Sequence, residues 1–287
     1  MHTRQAVALV FCLAMVLPFA SSCSSGPTIK MGRPEWYWTA AKEQFAAGDF
    51  VKTQEHLEKL MATDNPYRAR AATWHLVVLA GMARGHKDLA EAYEAGGPIS
   101  KTQGAEFRRT AADMYRHSRQ YAMGLAEEME RFHKQMDGVD QYSLEFSFPL
   151  GSPTENITLG RVRKGILPQE SERLAAQRQT AARGVLLQTA AVVGAAEDTA
   201  KAAEAFKNSP VQVPRAVFLF GLAESLLEQS RIFDRRKLNE PDKRKILLQM
   251  AADCMKPAME AGDATWKKKA KDLQAKIDKE QKTLPKT

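Results

Sequence analysis

The chain is poor in the residues that usually carry chemistry. Only three of its 287 residues are cysteine, at 12, 23 and 254, so no thiolate cluster exists for zinc. The six histidines, at 2, 56, 75, 86, 117 and 133, include no pair at i and i+4, and the His-Glu-x-x-His spacing of zinc hydrolases is absent. There is no Gly-x-Ser-x-Gly elbow to expose a serine nucleophile and no glycine loop before a Lys to cradle phosphate. No cofactor and no metal is therefore expected, and no catalytic signature points to an enzyme. Long apolar runs are scarce as well. Residues 6–20 (AVALVFCLAMVLPFA) and 184–196 (GVLLQTAAVVGAA) are uncharged. Both fall short of the roughly 20 residues that cross a bilayer. The second run reads as a core helix in which Gly184, Gly194 and several Ala allow close crossing.

The first run has a different context. His2 and Arg4 precede it and the small residues Ala20, Ser21 and Ser22 follow it. That order of basic, apolar and small segments is a secretory signal, residues 1–22, and no part of the fold. Ala20-Ser21-Ser22-Cys23 also resembles the lipobox of bacterial lipoproteins, although Ala20 stands where that family usually has Leu. The resemblance implies cleavage before Cys23 and acylation of its thiol, with Ser24-Ser25-Gly26-Pro27-Thr28 inside a flexible tether spanning 23–33. Asp often follows the cysteine in lipoproteins retained in the inner membrane. Ser24 holds that place here, which implies the outer membrane, facing the periplasm. The same resemblance leaves Cys254 as the one free thiol and no internal disulfide, so the fold must stand on its core.

The formal charge of +8 is concentrated at the C-terminus, where eight Lys and four acidic residues lie between Asp263 and Thr287. An exported basic chain meets phosphate-bearing lipid or an acidic protein rather than nucleic acid. Trp266, Ala270, Leu273 and Ile277 make one apolar stripe against that basic face, spaced to pack on the preceding helix.

Almost everything after the tether reads helical. Apolar positions recur at three and four, and Ala and long unbranched residues dominate. Helices are expected near 34–47, 50–63, 66–84, 86–95, 101–136, 169–207, 212–235, 241–261 and 263–281. The exception is 137–168, rich in Gly and Pro. There Leu144, Phe146, Phe148 and Leu150 alternate, as do Ile157 and Leu159, with Gly151-Ser152-Pro153-Thr154 between them. A small hairpin or an ordered loop fits, dividing an N-terminal helical region (34–136) from a C-terminal one (169–287).

Within the N-terminal region, Tyr37, Trp38, Ala41 and Phe45 lie on one helix, Gly48-Asp49-Phe50 follow, and Thr53, Leu57 and Leu60 precede Asn65-Pro66. Physically this is an antiparallel helix pair: Ala41 admits the partner, Gly48 permits the turn, and Phe50 with Leu57 closes the gap. The pattern resembles a tetratricopeptide repeat. A looser copy follows, with Trp74, Val78, Gly85-His86 and Ala90. The resemblance covers about 60 residues, near the period of two such repeats, and repeats bury a continuous core only when three or more stack.

The expected fold is therefore all-α, a tetratricopeptide-like array or an irregular helical bundle, with a small irregular or β insertion. A groove on the inner face of the two repeats, with Tyr37, Gln44, His75 and Val78, is expected to hold another envelope protein. The layout is similar to repeat lipoproteins of envelope assembly and to those accompanying solute transporters. Two other readings stay open. A hydrophobic ligand could be carried in a pocket between the halves lined by Phe146, Phe148, Phe218 and Phe220. Glu224-Ser225 resembles the Glu-Ser of lytic transglycosylases, but their Gly-Leu-Met-Gln segment is missing.

About eleven residues separate Cys23 from Pro34, a reach of at most about 40 Å. The lipid would thus hold the helical domain close to the membrane, and several acyl chains anchor firmly where one does not. Cys23→Ala is expected to move the protein from the membrane pellet to the soluble fraction of fractionated cells. A variant that stays in the pellet rules out the lipid anchor.

Overall fold

The computed structural model describes residues 30–136, 138–147, 157–196, 198–207 and 209–285. The signal segment 1–22, Cys23, the tether to Ile29, Phe148, Leu150 and the turn at 151–154 lie outside the described residues.

The chain begins with the expected helix pair. Helix α1 (Pro34–Ala46) starts on a proline, which suits a first turn, and α2 (Phe50–Met61) returns after Gly48, whose φ of +75° favours glycine. Asp49 caps α2 by accepting the Lys52 N–H at 3.2 Å, and the Thr53 hydroxyl donates to the Asp49 carbonyl at 2.8 Å. Ala41, Phe45, Phe50 and Leu57 are all buried between the two helices and the next, α3 (Arg68–Gly96).

Helix α3 is where the second repeat fails. It runs unbroken for 29 residues through Gly85-His86, where the repeat pattern predicts a turn. Gly85 is there for close approach. A Cβ at Gly85 would press on the backbone of Thr180 and Ala181, and one at Gly81 would lie 2.7 Å from the Val185 nitrogen. Gly184 answers from the other side, since a methyl there would overlap the Gly81 carbonyl. These positions let α6 (Glu170–Val192) cross α3 backbone to backbone. Gly194 plays another part. With φ +77° it ends α6, and with Ala196 at φ +52° it divides the single helix expected over 169–207. Asp198 then caps α7 (Thr199–Phe206), accepting the Lys201 N–H at 2.9 Å.

Helix α4 (Gly104–Gln135) lies along α3. Among its described residues, the insertion that follows holds a strand and a helix rather than a hairpin. Strand β1 (Gln141–Leu144) pairs antiparallel with β2 (Val211–Pro214), in register Gln141 to Pro214 and Leu144 to Val211. Leu144 and Phe146 share a buried face, as their alternation indicates. The second alternating stretch is instead α5 (Ile157–Arg163), in which Leu159 and Val162, three apart, are both buried. The strand partner comes from the start of the helix expected at 212–235. Pro214 disfavours helical geometry at Val213, so the chain stays extended until α8 (Arg215–Ser230) begins.

After a short 3-10 turn at 231–233, α9 (Pro241–Glu260) packs on α8, and α10 (Ala264–Lys282) packs on α9. Ala270, Leu273 and Ile277 are buried along that contact. The Trp266 indole N–H donates to the Ala258 carbonyl at 2.8 Å. The C-terminal basic face therefore belongs to a packed helix.

Helix makes up 74% of the structure against two four-residue strands, so the protein is all-α with a small sheet. Buried apolar residues of both helical regions form one contiguous core. At its centre Trp74 stacks on Phe146 at 4.5 Å, with Phe45 edge-on to Trp74 at 4.8 Å. Among the described residues no helix is long and apolar enough to cross a membrane.

Gly184→Ala is expected to cost about 1–3 kcal/mol of stability, because the backbone crossing must open to admit a methyl. Among the described residues a Cβ added at Gly160 of α5 would meet nothing within 4 Å, so Gly160→Ala should stabilise by about 0.5–1 kcal/mol. Urea melts of the two variants check the contrast, and equal shifts would exclude a close-packed crossing.

Candidate functional site

The α3–α6 crossing leaves a depression on either side. The first is a groove of 670 Å³ between the α1–α2 turn and helices α3, α4 and α6. Gln44, Gly48, Phe50 and Val51 form one wall, and Leu174, Arg178 and Ala181 of α6 form the other. The floor is a stack of rings. His86 of α3 lies against His117 at 5.2 Å and parallel to Tyr121 at 5.5 Å, one turn apart on α4. Burial, reinforced by the neighbouring His117, pushes His86 down to about 4, so its ring is neutral near pH 7. Burial likewise raises the Tyr121 phenol. Val51 and Leu174 stand on the rim, 52% and 55% exposed. The rim charges Asp49, Lys52, Glu55 and Arg178 cancel. A floor of stacked rings beneath exposed aliphatic side chains suits an apolar occupant.

The second depression is a cleft of 640 Å³ walled by α3, α6, α8 and α10. Here most of the lining residues are polar. Asp88 meets Arg183 at 3.0 Å, and Lys87 meets Glu91 at 3.3 Å and Glu228 at 3.7 Å. Desolvation raises the Asp88 carboxyl despite the nearby Arg84, Lys87 and Arg183. Gln188, Glu224, Ser225 and Gln229 complete the lining with Leu273 and Lys276.

The four residues expected to share a binding face do not share one. Gln44 lines the first groove, and Tyr37 is half-buried against Trp36 at 5.2 Å. Val78 is fully buried. His75 is 5% exposed, with Glu58 at 3.5 Å and Glu128 at 4.0 Å. Contact with His75 holds the Glu58 carboxyl below its usual range. Two short helices in place of α3 would put His75 and Val78 on an outer repeat, whereas the unbroken α3 carries them through the centre of the core.

The described members of the expected phenylalanine pocket are each packed against other rings. Phe146 is packed against Trp74 and Phe45, Phe218 against Tyr142 at 4.9 Å, and Phe220 against Trp266 at 5.0 Å. Phe146 and Phe218 belong to the one contiguous core, Phe220 packs against it, and none of the three lines either depression. Glu224 and Ser225 do reach a cleft, the second one. His86, His117, Tyr121 and Leu174 escape sequence reading because they sit on three helices, 88 residues apart at the extremes. The local signal is confined to His117 and Tyr121 at i and i+4.

Among the described residues no group of three His, Cys, Asp or Glu side chains could hold a metal ion. Comparison of the chain with protein-family models, with curated proteins and with solved structures finds no match.

The depressed His86 has a pH signature. Above pH 6.5 the ring is neutral in folded and unfolded chains alike. Between 6.5 and about 4 only the unfolded chain takes up the proton, so stability falls as pH falls. The loss amounts to about 3 kcal/mol across that window. His86→Phe should flatten the acid slope of stability measured by urea melts at pH 4.5–7. An unchanged slope would place the His86 ring in water.

Proposed function

We propose that the chain is a non-enzymatic binding protein of the bacterial envelope, anchored in the outer membrane through Cys23 and facing the periplasm. Its groove between the α1–α2 turn and α6 takes an apolar segment of another envelope protein. The observation that carries this reading is the pair Val51 and Leu174, both exposed on the rim of a groove floored by the stacked rings of His86, His117 and Tyr121. Large aliphatic side chains facing each other across a groove lose water when an apolar segment enters. The balanced rim charges add no preference for an ionic ligand. The Cys23 anchor would bring the groove within tether reach of membrane-bound partners.

The test is photo-crosslinking in intact cells from residues 51 and 174, with the exposed Ile246 on α9 as control. One discrete product common to 51 and 174, absent at 246 and lost in Leu174→Asp for the position-51 probe, is expected. Products that are identical at all three positions, or none, would remove the groove as a docking site.

A further inference from the structure

Seven of the 19 residues of α10 are lysine and none is arginine. All seven are exposed, and none makes an ion pair among the described residues. Exposed lysines elsewhere do find carboxylates one turn away. Lys52 meets Asp49 at 3.3 Å, Lys134 meets Glu130 at 2.9 Å and Lys256 meets Asp253 at 2.7 Å. On α10 the carboxylates are engaged otherwise. Glu280 is bonded to the buried Arg244 and lies 3.7 Å from Arg231, and Asp278 accepts from Gln274 at 2.7 Å. Asp272 alone is left beside the lysines.

The lysines are also ordered in space. Helical periodicity puts Lys268, Lys271, Lys279 and Lys282 on one stripe, with Ala275 in its middle. That stripe lies opposite Ala270, Leu273 and Ile277, which are buried along the contact with α9. From Lys268 to Lys282 it runs about 21 Å along the helix axis. Lysines three apart repel, so Lys268 with Lys271 and Lys279 with Lys282 weaken the helix that carries them. A solvent-facing row that lowers stability suits a partner that neutralises it.

The chemistry of that partner follows from what the face has and lacks. An ammonium is a point charge on a flexible stem, whereas a fixed carboxylate or phosphate is better held by the planar fork of arginine. No ring stands on the stripe for a nucleic-acid base to stack on, because Trp266 of α10 packs on Phe220 and donates to Ala258. None of the four stripe lysines lines either depression, so the row offers a peptide no groove. None of the exposed large apolar side chains among the described residues lies on α10, so the face rests on a surface without inserting. A straight row of mobile point charges matches a plane of laterally mobile negative charge.

We infer that the outward lysine face of α10 rests on a bilayer surface that contains anionic phospholipid. Lysine clusters on amphipathic helices are attracted to such surfaces. The face is separate from the docking groove, and the inference needs neither that groove nor an acylated Cys23. On an anchored chain it would fix which side of the domain meets the membrane, which one tether leaves free.

The experiment is vesicle co-sedimentation of the full chain carrying Cys23→Ala, so that no acyl chain contributes. Vesicles of phosphatidylcholine alone are compared with vesicles one-third phosphatidylglycerol. Lys268→Gln, Lys271→Gln, Lys279→Gln and Lys282→Gln, combined, should weaken binding to the anionic vesicles at least about twentyfold, since each lysine near such a surface contributes about fivefold. Binding to the neutral vesicles should not change, and the melting temperature should stay the same or rise. A matched control replaces Lys52, Lys134, Lys207 and Lys256 by Gln, which removes the same charge from other helices. Charges beyond a screening length add little, so the control should stay within about twofold of the parent, and added salt should release the parent. Residues 1–22 are common to all three proteins and cannot produce a difference between them. The inference is overturned if the parent does not bind the anionic vesicles, if the α10 variant binds them as tightly as the parent, or if the control loses as much. Preferential binding of polyglutamate or duplex DNA over the anionic vesicles would overturn it as well.

Discussion

The contact between the backbones of α3 and α6 governs the rest of the architecture. Three glycines, Gly81 and Gly85 on one helix and Gly184 on the other, remove the side chains that would hold the axes apart. The crossing draws a helix from the C-terminal region across the longest apolar helix of the N-terminal region and makes one core of both. It also decides where surface is left over. Met82 and His86 of α3 fall on one side with the start of α6, while Lys87 and Asp88 fall on the other with Gln188 and Ala191. Each depression is thus bounded by the same two helices, and differs in which neighbours complete it.

Those neighbours give the depressions opposite character. On one side α4 contributes His117 and Tyr121, and desolvation keeps the stacked His86 neutral. On the other side α8 brings Glu224, Glu228 and Gln229 and α10 brings Lys276 into a space where Lys87 and Arg231 pair with Glu228. The aromatic centre around Trp74 and Phe146 is by contrast filled. The sheet helps to close it. By pairing β1 with β2, the chain brings Tyr142 against Phe218 and seats Phe146 among the rings of α1 and α3.

Much of the fold was legible because it depends on local rules. The first helix pair followed from Ala41, Gly48 and Phe50, each acting within a few residues of its partner. The stripe of Ala270, Leu273 and Ile277 foretold a packed α10 for the same reason. Departures arose where a residue had two possible uses. Gly85 can end a helix or admit a neighbour, and only the position of Thr180 and Ala181 distinguishes these. Leu144 and Phe146 indicate a strand, but their alternation says nothing about a partner about 70 residues away. The candidate site was harder still, since of the four residues expected in it only Gln44 lines a groove.

By itself, then, the sequence determined the class of the fold, the caps and turns of its first helices and the absence of any metal or nucleophile motif. These depend on periodicity, composition and short-range hydrogen bonding, which the linear order of residues states directly. Tertiary structure decided that Gly85 sits inside a helix, that β1 pairs with β2, that His75 and Val78 are core, and that His86 and Ser225 face depressions. Each of these turns on which distant backbone arrives alongside, and hence on steric fit and desolvation that no single segment contains.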